Sequence, residues 1–572
     1  MTKTSPIFTV EAECQDCYKC VRHCPVKAIQ VKNASAVILT DQCILCAKCV
    51  QVCPSHAKRI RDDSYSVEEL LRNKKAIALL APSIVNTDTN SKQGDLYQML
   101  AEVGFTHFSF VSNGANLTTK YIKGFLSREE AKGTTWASSA CPAIVRYLSM
   151  YQDQSNINIL PIPSPLLIQS QVVKELHPQK AIVFIGPCAA KKWESDEYPQ
   201  YIDKALTIDE FIQLHNRMRK GDFPLRKKCT SLDRYQGTGT QYPLPGGMMT
   251  ALGEDRDITM GAQSLSGISF IKDCLENYTN DDSQTMFLDL LSCQGGCMEG
   301  HCTSTKTSFL QRSLLKDKEQ KKNNPALLKQ ETITLPKHAW PILTKPDIQT
   351  DYVKIQEFLK SIGKYTKEDE KDCGGCGYNS CYDFARMSIN GQGEPNMCVS
   401  YLRKVAEKKA VALLHTIPCG VVIIDKKLNI VESNHLFLQY FAPEAAKVID
   451  DTSHQLLEGR PLNKFVQLEQ FFGLVLRDNR FISSKSLKAK GKVYNYSLFP
   501  IENNRIAGGI FQDITQVFVQ RENIINKAKS VLETNVQTVQ QIAFLLGENA
   551  SASEVMLNSI IESFSTSSES AN

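Results

Sequence analysis

Residues 14–25 read CQDCYKCVRHCP, and residues 43–54 read CILCAKCVQVCP. Both stretches have the spacing C-x2-C-x2-C-x3-C-P, so this part of the chain is an internal repeat. Three cysteines on a tight loop can bind one cube of iron and sulfur, while the fourth reaches across to a second cube. A zinc site is the alternative, but zinc motifs rarely repeat this spacing twice. The predicted ligand sets are Cys14, Cys17, Cys20 and Cys53 for one 4Fe-4S cluster, and Cys24, Cys43, Cys46 and Cys49 for another.

The repeat resembles the bacterial two-cluster ferredoxins over about residues 5–60. The resemblance implies a ferredoxin-like module that moves electrons one at a time and carries out no substrate chemistry by itself. We therefore expect it to exchange electrons with a redox partner, such as a ferredoxin, and with a second site in the same chain.

Composition narrows the class of protein. The chain has 572 residues, of which 42% are apolar and 22% charged, as in folded domains, and its length predicts several of them. A net charge of +5 is too small to argue for binding to nucleic acid. No apolar run is long enough to span a membrane and no secretory signal is visible, so we expect a cytoplasmic location. In that reducing compartment, 20 cysteines indicate metal binding rather than disulfides.

Residues 66–313 have the texture of an α/β domain. The apolar runs Ala76–Ala81 and Ala181–Ile185 predict buried strands that end in loops. Loops after strands are where functional sites are built. Four cysteines lie in three loops, which read SSACP at residues 138–142, GPCAAKKWE at residues 186–194 and CQGGC at residues 293–297.

These loops resemble, in order, the three signatures of the catalytic domain of iron-iron hydrogenases, T-S-C-C-P, M-P-C-x-x-K-x-x-E and E-x-M-x-C-x-x-G-C. In that family the cysteines hold a 4Fe-4S cube, and one thiolate bridges it to a diiron unit that carries CO and cyanide. The cube and the diiron unit together are the H-cluster. The ligands that the resemblance implies are Cys141, Cys188, Cys293 and the bridging Cys297.

The resemblance also implies which groups hold the diiron unit. Lys191 is expected to donate to a cyanide, because charge-assisted hydrogen bonds are strongest in a dry pocket. Pro82 and Ser83 resemble the family loop whose backbone and hydroxyl meet the other cyanide, and a plain strand-ending turn is the alternative. Gly246 and Gly247 could let the backbone approach the cofactor closely, and a plain turn is again the alternative.

One departure from the signatures favours a sensor over a fast enzyme. The first of the two adjacent family cysteines is not an iron ligand and passes protons to the diiron unit. Ala140 stands in its place. Alanine has no ionisable group, so we expect slow turnover. Alanine at this position resembles the sensory branch of the family.

Other departures surround the second and third signatures. Gly186 replaces a methionine, and Asp289 and Leu291 replace a glutamate and a methionine, which loosens the standard pocket. His301 and Cys302 follow the last motif where the catalytic enzymes have glycines. Local packing is the first interpretation of this pair, and an extra ligand or a proton-handling group is the alternative.

A third block has the spacing C-x2-C-x4-C-x16-C among several glycines. Glycines free the backbone to wrap a cube, which predicts an accessory 4Fe-4S cluster, with zinc as the alternative. The block resembles a small iron-sulfur domain that recurs in redox proteins and in sensory hydrogenases. Its predicted ligands are Cys373, Cys376, Cys381 and Cys398.

Residues 408–518 resemble a PAS domain. The segment GVVIID at residues 420–425 and a second short strand lead to Asn434, which is placed to open a helix, and GGIFQDIT at residues 508–515 resembles the last strand and its exit. No PAS ligand can be inferred, and Cys419 is interpreted as a core residue.

The last part of the chain predicts a dimer. Apolar residues recur at three and four positions, a stripe suited to a seam between two helices. No kinase core or DNA-binding element follows, so the resemblance implies output to a separate signalling protein, such as a kinase or phosphatase. The stripe comprises Ile525, Ala528, Leu532, Val536, Val539, Ala543 and Leu546.

The expected fold class is therefore a multidomain chain that mixes α+β and α/β modules. The predicted boundaries are a ferredoxin-like domain at residues 1–62, an H-cluster domain at 63–315, a linker at 316–345, an accessory 4Fe-4S domain at 346–405, a PAS domain at 406–518 and a helical signalling and dimerisation segment at 519–572.

Three functions fit the patterns. The leading hypothesis is an H2-sensing iron-iron hydrogenase with slow interconversion of H2 and protons, three 4Fe-4S clusters besides the H-cluster, and output through the PAS domain. The second is an efficient hydrogenase that the PAS domain regulates. The third is an electron-transfer or iron-sulfur protein without the diiron unit.

Overall fold

The computed structural model describes two compact units, Met1–Met397 and Cys398–Asn572. The predicted linker at 316–345 and the predicted helical segment at 519–572 lie largely outside the described residues. These are 5–84, 93–152, 156–220, 228–234, 237–253, 261–276, 278–279, 285–302, 341, 343, 347–446, 457–515, 530–532, 534–535 and 538–539.

The described strands, in chain order, are β1 (Ile7–Thr9), β2 (Ile29–Lys32), β3 (Ser35–Ile38), β4 (Lys58–Ile60), β5 (Ala76–Leu80), β6 (His107–Phe110), β7 (Thr135–Ala137), β8 (Asn158–Ile159), β9 (Ala181–Gly186), β10 (Lys204–Thr207), β11 (Thr230–Ser231), β12 (Ala262–Ser266), β13 (Met286–Leu291), β14 (Gly420–Asp425), β15 (Ile430–Ser433), β16 (Ile482–Ala489), β17 (Lys492–Glu502) and β18 (Ile506–Asp513).

The described α-helices are α1 (Lys19–His23), α2 (Lys48–Val52), α3 (Ser64–Asn73), α4 (Gln93–Val103), α5 (Val111–Leu126), α6 (Pro142–Tyr151), α7 (Pro165–Leu176), α8 (Ala190–Glu197), α9 (Ile208–Lys220), α10 (Gly247–Leu252), α11 (Ile268–Leu275), α12 (Tyr352–Ser361), α13 (Cys381–Ile389), α14 (Val399–Thr416), α15 (His435–Phe441), α16 (Pro443–Ala446) and α17 (Glu469–Asp478). None of these helices is long and apolar enough to cross a membrane.

The first 60 residues form a small two-layer region. Strand β1 pairs antiparallel with β4, with Ile7 opposite Ile60, and β2 pairs with β3 as a hairpin. The short helices α1 and α2 pack on each other and begin within the two cysteine repeats. The region is therefore closed by pairing its first strand with its last.

Two parallel sheets form the centre of the first unit. In one sheet the strand order is β10-β9-β5-β6-β11, and in the other it is β12-β13-β7-β8. Strands β5 and β9 are buried at every position because helices cover both faces of the first sheet. The predicted buried strands of an α/β domain are thus confirmed. Parallel strands end at the same edge, which places the loops that follow them together.

Residues 347–397 form a helical module in the same unit. Asp351 caps α12 by accepting hydrogen bonds from the amides of Val353 and Lys354. Helix α12 packs on α13, with the rings of Phe358 and Phe384 5.5 Å apart between centroids. The loop before α13 carries Cys373 and Cys376, and Cys381 is the first residue of that helix.

The second unit is built on an antiparallel sheet with the strand order β15-β14-β18-β17-β16. One face of this sheet and helices α15 and α17 enclose an apolar core that includes Phe437, Phe472 and Phe511. On the other face, Val531 packs near Cys419, and Leu532 and Val539 pack against Phe499. Cys419 is buried, as predicted.

Candidate functional site

One cavity in the first unit brings together all four cysteines of the hydrogenase-like signatures. The empty space in the cavity and at its open mouth, solvent included, is about 440 Å³. The thiols come from both parallel sheets, so neither sheet could form the site alone. The cavity is lined by Leu45, Cys46, Ala47, Cys141, Ala143, Pro187, Cys188, Ala189, Leu291, Ser292, Cys293, Gly296, Cys297, Gly300 and His301.

Local structure explains how each cysteine reaches the cavity. Cys141 caps α6 directly after the loop that follows β7, and Pro142 begins that helix. Cys188 lies between β9 and α8. Cys293 follows β13, and the chain then turns through Gly295 and Gly296, whose φ angles of +79° and +73° are left-handed. That turn returns Cys297 to the same cavity.

The cavity walls meet too closely for larger residues at two glycines. A Cβ atom at Gly296 would lie 2.3 Å from the carbonyl oxygen of Pro243, and one at Gly300 would lie 2.6 Å from that of Pro187. Both distances are below any normal contact, so a side chain at either position would push the backbones apart. Glycine at these positions lets the cysteine loops pack at backbone distance.

The electrostatics of the cavity suit a metal cluster. The pKa of the Cys188 thiol is raised to about 11, first by burial and then by charge on Cys141, while Lys191 acts to lower it. Burial, and then charge on Cys188, Cys297 and other neighbours, raises the pKa of Cys293 well above its usual range. Thiolates are the metal-binding form, and bound cations replace their protons. The donor set therefore fits an iron-sulfur cube. No three His, Cys, Asp or Glu side chains among the described residues are placed to hold a single ion.

Lys191 lies beside the cavity, but its ammonium group has protein partners. Its Nζ donates to Glu194 Oε2 at 2.5 Å, to Ser164 Oγ at 3.2 Å and to the carbonyl oxygen of Ala140 at 3.3 Å. Glu194 is fully buried and also accepts a hydrogen bond from the Ser164 hydroxyl. The lysine is thus held next to Ala140 and Cys141.

The other predicted cofactor contacts do not line this cavity. Pro82 and Ser83 form the turn after β5, and Ser83 is buried. Gly246, with a φ of +73°, precedes α10, and its amide donates to Ser264 Oγ at 2.8 Å. A Cβ at Gly247 would lie 1.8 Å from the carbonyl oxygen of Gln241. Close packing within its own loop therefore explains why this position is a glycine.

The two ferredoxin-type repeats have matching backbone conformations. Three residues of each repeat are left-handed at equivalent positions, 29 apart: Asp16 and Leu45, Tyr18 and Ala47, and Lys27 and His56. Left-handed backbone is costly for residues other than glycine and persists only where the surroundings impose it. The conformation curls each cysteine loop in the way that a bound cube requires.

Backbone amides already point at sulfur atoms in this region. The amide of Ala36 donates to Cys14 Sγ at 3.4 Å, and that of Leu45 donates to Cys43 Sγ at 3.3 Å. Such donors stabilise thiolates and clusters. In the third block, Gly374 and Gly377 have φ angles of +69° and +97° and form a tight turn that closes the loop between Cys373 and Cys381. The two ferredoxin-type repeats, and the loop that carries Cys373 and Cys376, thus fit iron-sulfur ligation.

Two further features belong to the site, of which the sequence had indicated only the second. Lys192, next to Lys191, is fully buried and donates to Asp63 and Glu210, which joins α8 to α3 and α9. His301 lines the cavity, and its Nδ1 atom is buried without a hydrogen-bond partner. The unusual histidine after the last motif was visible in the sequence, whereas the Lys192 contacts depend on the fold.

Comparisons with known proteins match the parts of the chain that contain these cysteines. Residues 74–301 match the model of the iron only hydrogenase large subunit, C-terminal domain, residues 6–66 match a 4Fe-4S dicluster domain, and residues 369–400 match a putative Fe-S cluster. Iron hydrogenase 1 of Clostridium pasteurianum is 23% identical over 256 residues, which are 36% of this chain and 45% of that protein. This chain therefore spans less than half the length of the curated relative.

Two solved structures are also similar in part. One concerns stepwise assembly of the FeFe-hydrogenase H-cluster, and the other concerns FeFe-hydrogenase inactivation by oxygen. Each is 14% identical, they cover 44% and 45% of this chain and 88% of their own, and the TM-scores are 0.30 and 0.32. From the family models and the curated relative, residues 74–301 form an iron-only-hydrogenase-like domain that follows a ferredoxin-type 4Fe-4S dicluster domain.

Proposed function

We propose that this protein is an H2-sensing, FeFe-hydrogenase-like protein with slow turnover. The observation that carries the proposal is the single cavity lined by Cys141, Cys188, Cys293 and Cys297. Cys46, a predicted ligand of a ferredoxin-type cluster, lines the same cavity. A ferredoxin-type cluster held by Cys46 would therefore be adjacent to the place where the cube would sit and could accept its electrons.

The roles of the residues follow from their positions. The four cysteines would hold the cube, and Cys297 would bridge to a diiron unit, which supplies H2 binding and cleavage when bound. Lys191 would face the diiron unit from beside the cavity, where its side chain is anchored by Glu194 and Ser164. Ala140 offers no proton, so protons would leave slowly.

The infrared spectrum of the maturated protein tests this proposal, because metal-bound CO and cyanide absorb where the protein does not. We expect these bands in the wild type and their loss in Cys297→Ser. The matched control is Cys302→Ser, which changes a buried cysteine outside the ligand set and should keep the bands. If the wild type has no such bands after maturation, an electron-transfer or iron-sulfur protein without the diiron unit becomes the better reading.

We further propose that the second unit is a PAS-type output domain. Two features support this. Asn434 is buried and caps α15 by accepting from the amide of Phe437. At the other end of the unit, Asp513, Ile514 and Thr515 follow the last strand as a turn. The Thr515 amide donates to Asp513 Oδ1 at 2.9 Å, and the Thr515 hydroxyl accepts from the Val493 amide at 3.0 Å.

Truncation tests the output role. Removing the residues beyond about Lys404 should leave the infrared bands in place and abolish both dimerisation and any effect of H2 on a signalling partner. Sedimentation velocity measures the dimer. A truncated chain that dimerises as tightly as the full chain would contradict the assignment of the seam, whereas fast H2 turnover by the full chain would favour a regulated catalytic hydrogenase.

A further inference from the structure

We propose that Lys58 is a fixed, buried positive charge that raises the reduction potential of the ferredoxin-type cluster on Cys14, Cys17, Cys20 and Cys53. This cluster is here called the outer cluster, because Cys17 is exposed. The inference rests on the proposed function only in requiring that the ferredoxin-type clusters are installed. It does not require the diiron unit.

The two cysteine repeats differ at a buried position in the strands that follow them. Lys58 in β4 follows Cys53 by five residues, and Ile29 in β2 follows Cys24, the equivalent cysteine of the first repeat, by the same five. Both side chains are buried, with 1% of Ile29 and 2% of Lys58 exposed. Lysine is almost never fully buried unless it is paired. The first repeat therefore has an apolar side chain at the position where the second repeat has an ammonium group.

The Lys58 ammonium group has few partners in the protein. Its Nζ donates to the carbonyl oxygen of Ala36, although an ammonium group has three hydrogens to donate. The next residue in the strand, Arg59, has a carboxylate partner in Glu13 at 2.6 Å, but no carboxylate among the described residues forms an ion pair with Lys58. A buried charge needs an opposite charge nearby. The bound cluster would supply it.

The segments around Lys58 lead to ligands of the outer cluster. Lys58 lies opposite Thr9 of β1, the strand that precedes Cys14. Ala36, whose carbonyl oxygen accepts from Lys58, also donates its amide to Cys14 Sγ at 3.4 Å. Ala36 thus contacts both the Lys58 ammonium group and the Cys14 sulfur. Because the ammonium group is bound by the backbone of this residue, its distance from the cluster is set by the fold.

A nearby positive charge changes the potential of an iron-sulfur cube in a known direction. A cube held by four thiolates is an anion, and reduction adds one more negative charge. A buried cation therefore stabilises the reduced form more than the oxidised form, and the effect is stronger in the protein interior than in water. Lys58 should accordingly raise the potential of the outer cluster.

The raised potential has a consequence for the direction of electron transfer. The outer cluster would take one electron at a time from the ferredoxin-type cluster held by Cys46, which lines the cavity, and would be reoxidised by the redox partner, with no bond made or broken. A higher potential makes the outer cluster a better acceptor. Under the proposed function, Lys58 therefore favours the flow of electrons from H2 towards the exposed end of the module.

Redox titrations followed by paramagnetic resonance test the role of Lys58 in the full chain with its iron-sulfur clusters. Lys58→Met removes the charge and keeps a side chain of similar length. The equilibrium constant for reduction of the outer cluster should fall at least about tenfold, a shift of about 59 mV to lower potential. The signal that shifts should be the one that Cys17→Ser removes. The other ferredoxin-type signal should not shift, because Arg146, which donates to the Cys43 carbonyl oxygen at 2.8 Å, is unchanged.

Lys19→Met is the matched control. Lys19 directly precedes Cys20, but its side chain is exposed, so water and salt already screen the charge that this variant removes. The same constant should change less than about twofold. An equal shift in Lys19→Met and Lys58→Met, no shift in Lys58→Met, or the same shift of every cluster signal would overturn the proposal.

A second variant decides the matter if Lys58→Met does not bind iron. Lys58→Ile places at this position the residue that the first repeat has at the equivalent position, Ile29, and it should lower the potential of the outer cluster in the same way. An unchanged potential in Lys58→Ile at wild-type iron content would refute the role of the charge. Because the titration does not depend on CO or cyanide, its result is separate from the presence of the diiron infrared bands.

Discussion

Replacing Lys192 with methionine should destabilise the hydrogenase-like domain by about 3–5 kcal/mol, because removing one partner leaves buried carboxylates uncompensated. Lys192 is fully buried, and its Nζ donates to Asp63 Oδ2 at 2.9 Å, to both oxygens of Glu210 at 2.8 Å and to the Ala205 carbonyl oxygen at 3.0 Å. In a domain of this size, such a loss lowers the melting temperature by roughly 6–20 °C.

Scanning calorimetry at matched iron content measures the change. Lys204→Met is the matched control, because Lys204 approaches the same Asp63 only at 3.9 Å and is one-third exposed, so it should cost less than about 1 kcal/mol. Adding Glu210→Gln to Lys192→Met should recover part of the loss, since one uncompensated charge is removed. A Lys192→Met protein that melts no lower than Lys204→Met would refute the reasoning.

Three other variants address separate parts of the chain. Burial raises the pKa of Asp289 to about 7, above its unfolded value. The folded protein therefore holds this proton more tightly than the unfolded chain does. The resulting stabilisation is fully present below about pH 4 and is lost as the pH rises towards 7. Between pH 5 and pH 8, about two units of this shift act, so Asp289→Asn should remove about 2.5 kcal/mol of the pH dependence of the free energy of unfolding. Equal pH dependence in the variant and the wild type would contradict this. Asn434→Leu should lower the free energy of unfolding of the second unit, because buried groups such as the Val421 amide lose their hydrogen-bond partner. Each group left unpaired costs about 1–3 kcal/mol. The iron signals of the first unit should stay unchanged. Ala140→Cys should raise the rate of H2 evolution when metal content and electron supply are equal. The increase should be at most about 10²–10⁴-fold, the range of general acid-base catalysis. An unchanged rate with the thiol at the cavity would argue against a missing proton donor.

Local sequence predicted the parts of the fold that depend on local patterns. The apolar runs before residues 82 and 186 are the buried strands β5 and β9, because a strand covered on both faces needs no polar alternation. The resemblance to the hydrogenase signatures identified the thiols that line the cavity, since each signature is a single loop. These features need no knowledge of distant contacts.

Long-range contacts could not be predicted in this way. Lys191 was expected to face a ligand, and its contact with Ser164 crosses 27 positions of sequence. The contact between Lys27 and Gly377 crosses 350 positions. The apolar stripe was predicted to form a seam between two chains. The helical spacing of its apolar residues does not show whether they pack on a second chain or on another part of the same chain. Among the described residues of the stripe, Leu532 and Val539 pack on Phe499 of the same chain.

The six paired left-handed residues of the ferredoxin-type repeats bear on how the protein is made. At roughly 1 kcal/mol or more each, they cost on the order of 6 kcal/mol, comparable to the entire net stability of a small domain. A region of about 60 residues has little core to offset that cost. Cofactor delivery and folding should therefore be one event in the cell. A newly made chain that waits for iron would present this segment to proteases, so iron supply would set how much of the protein survives.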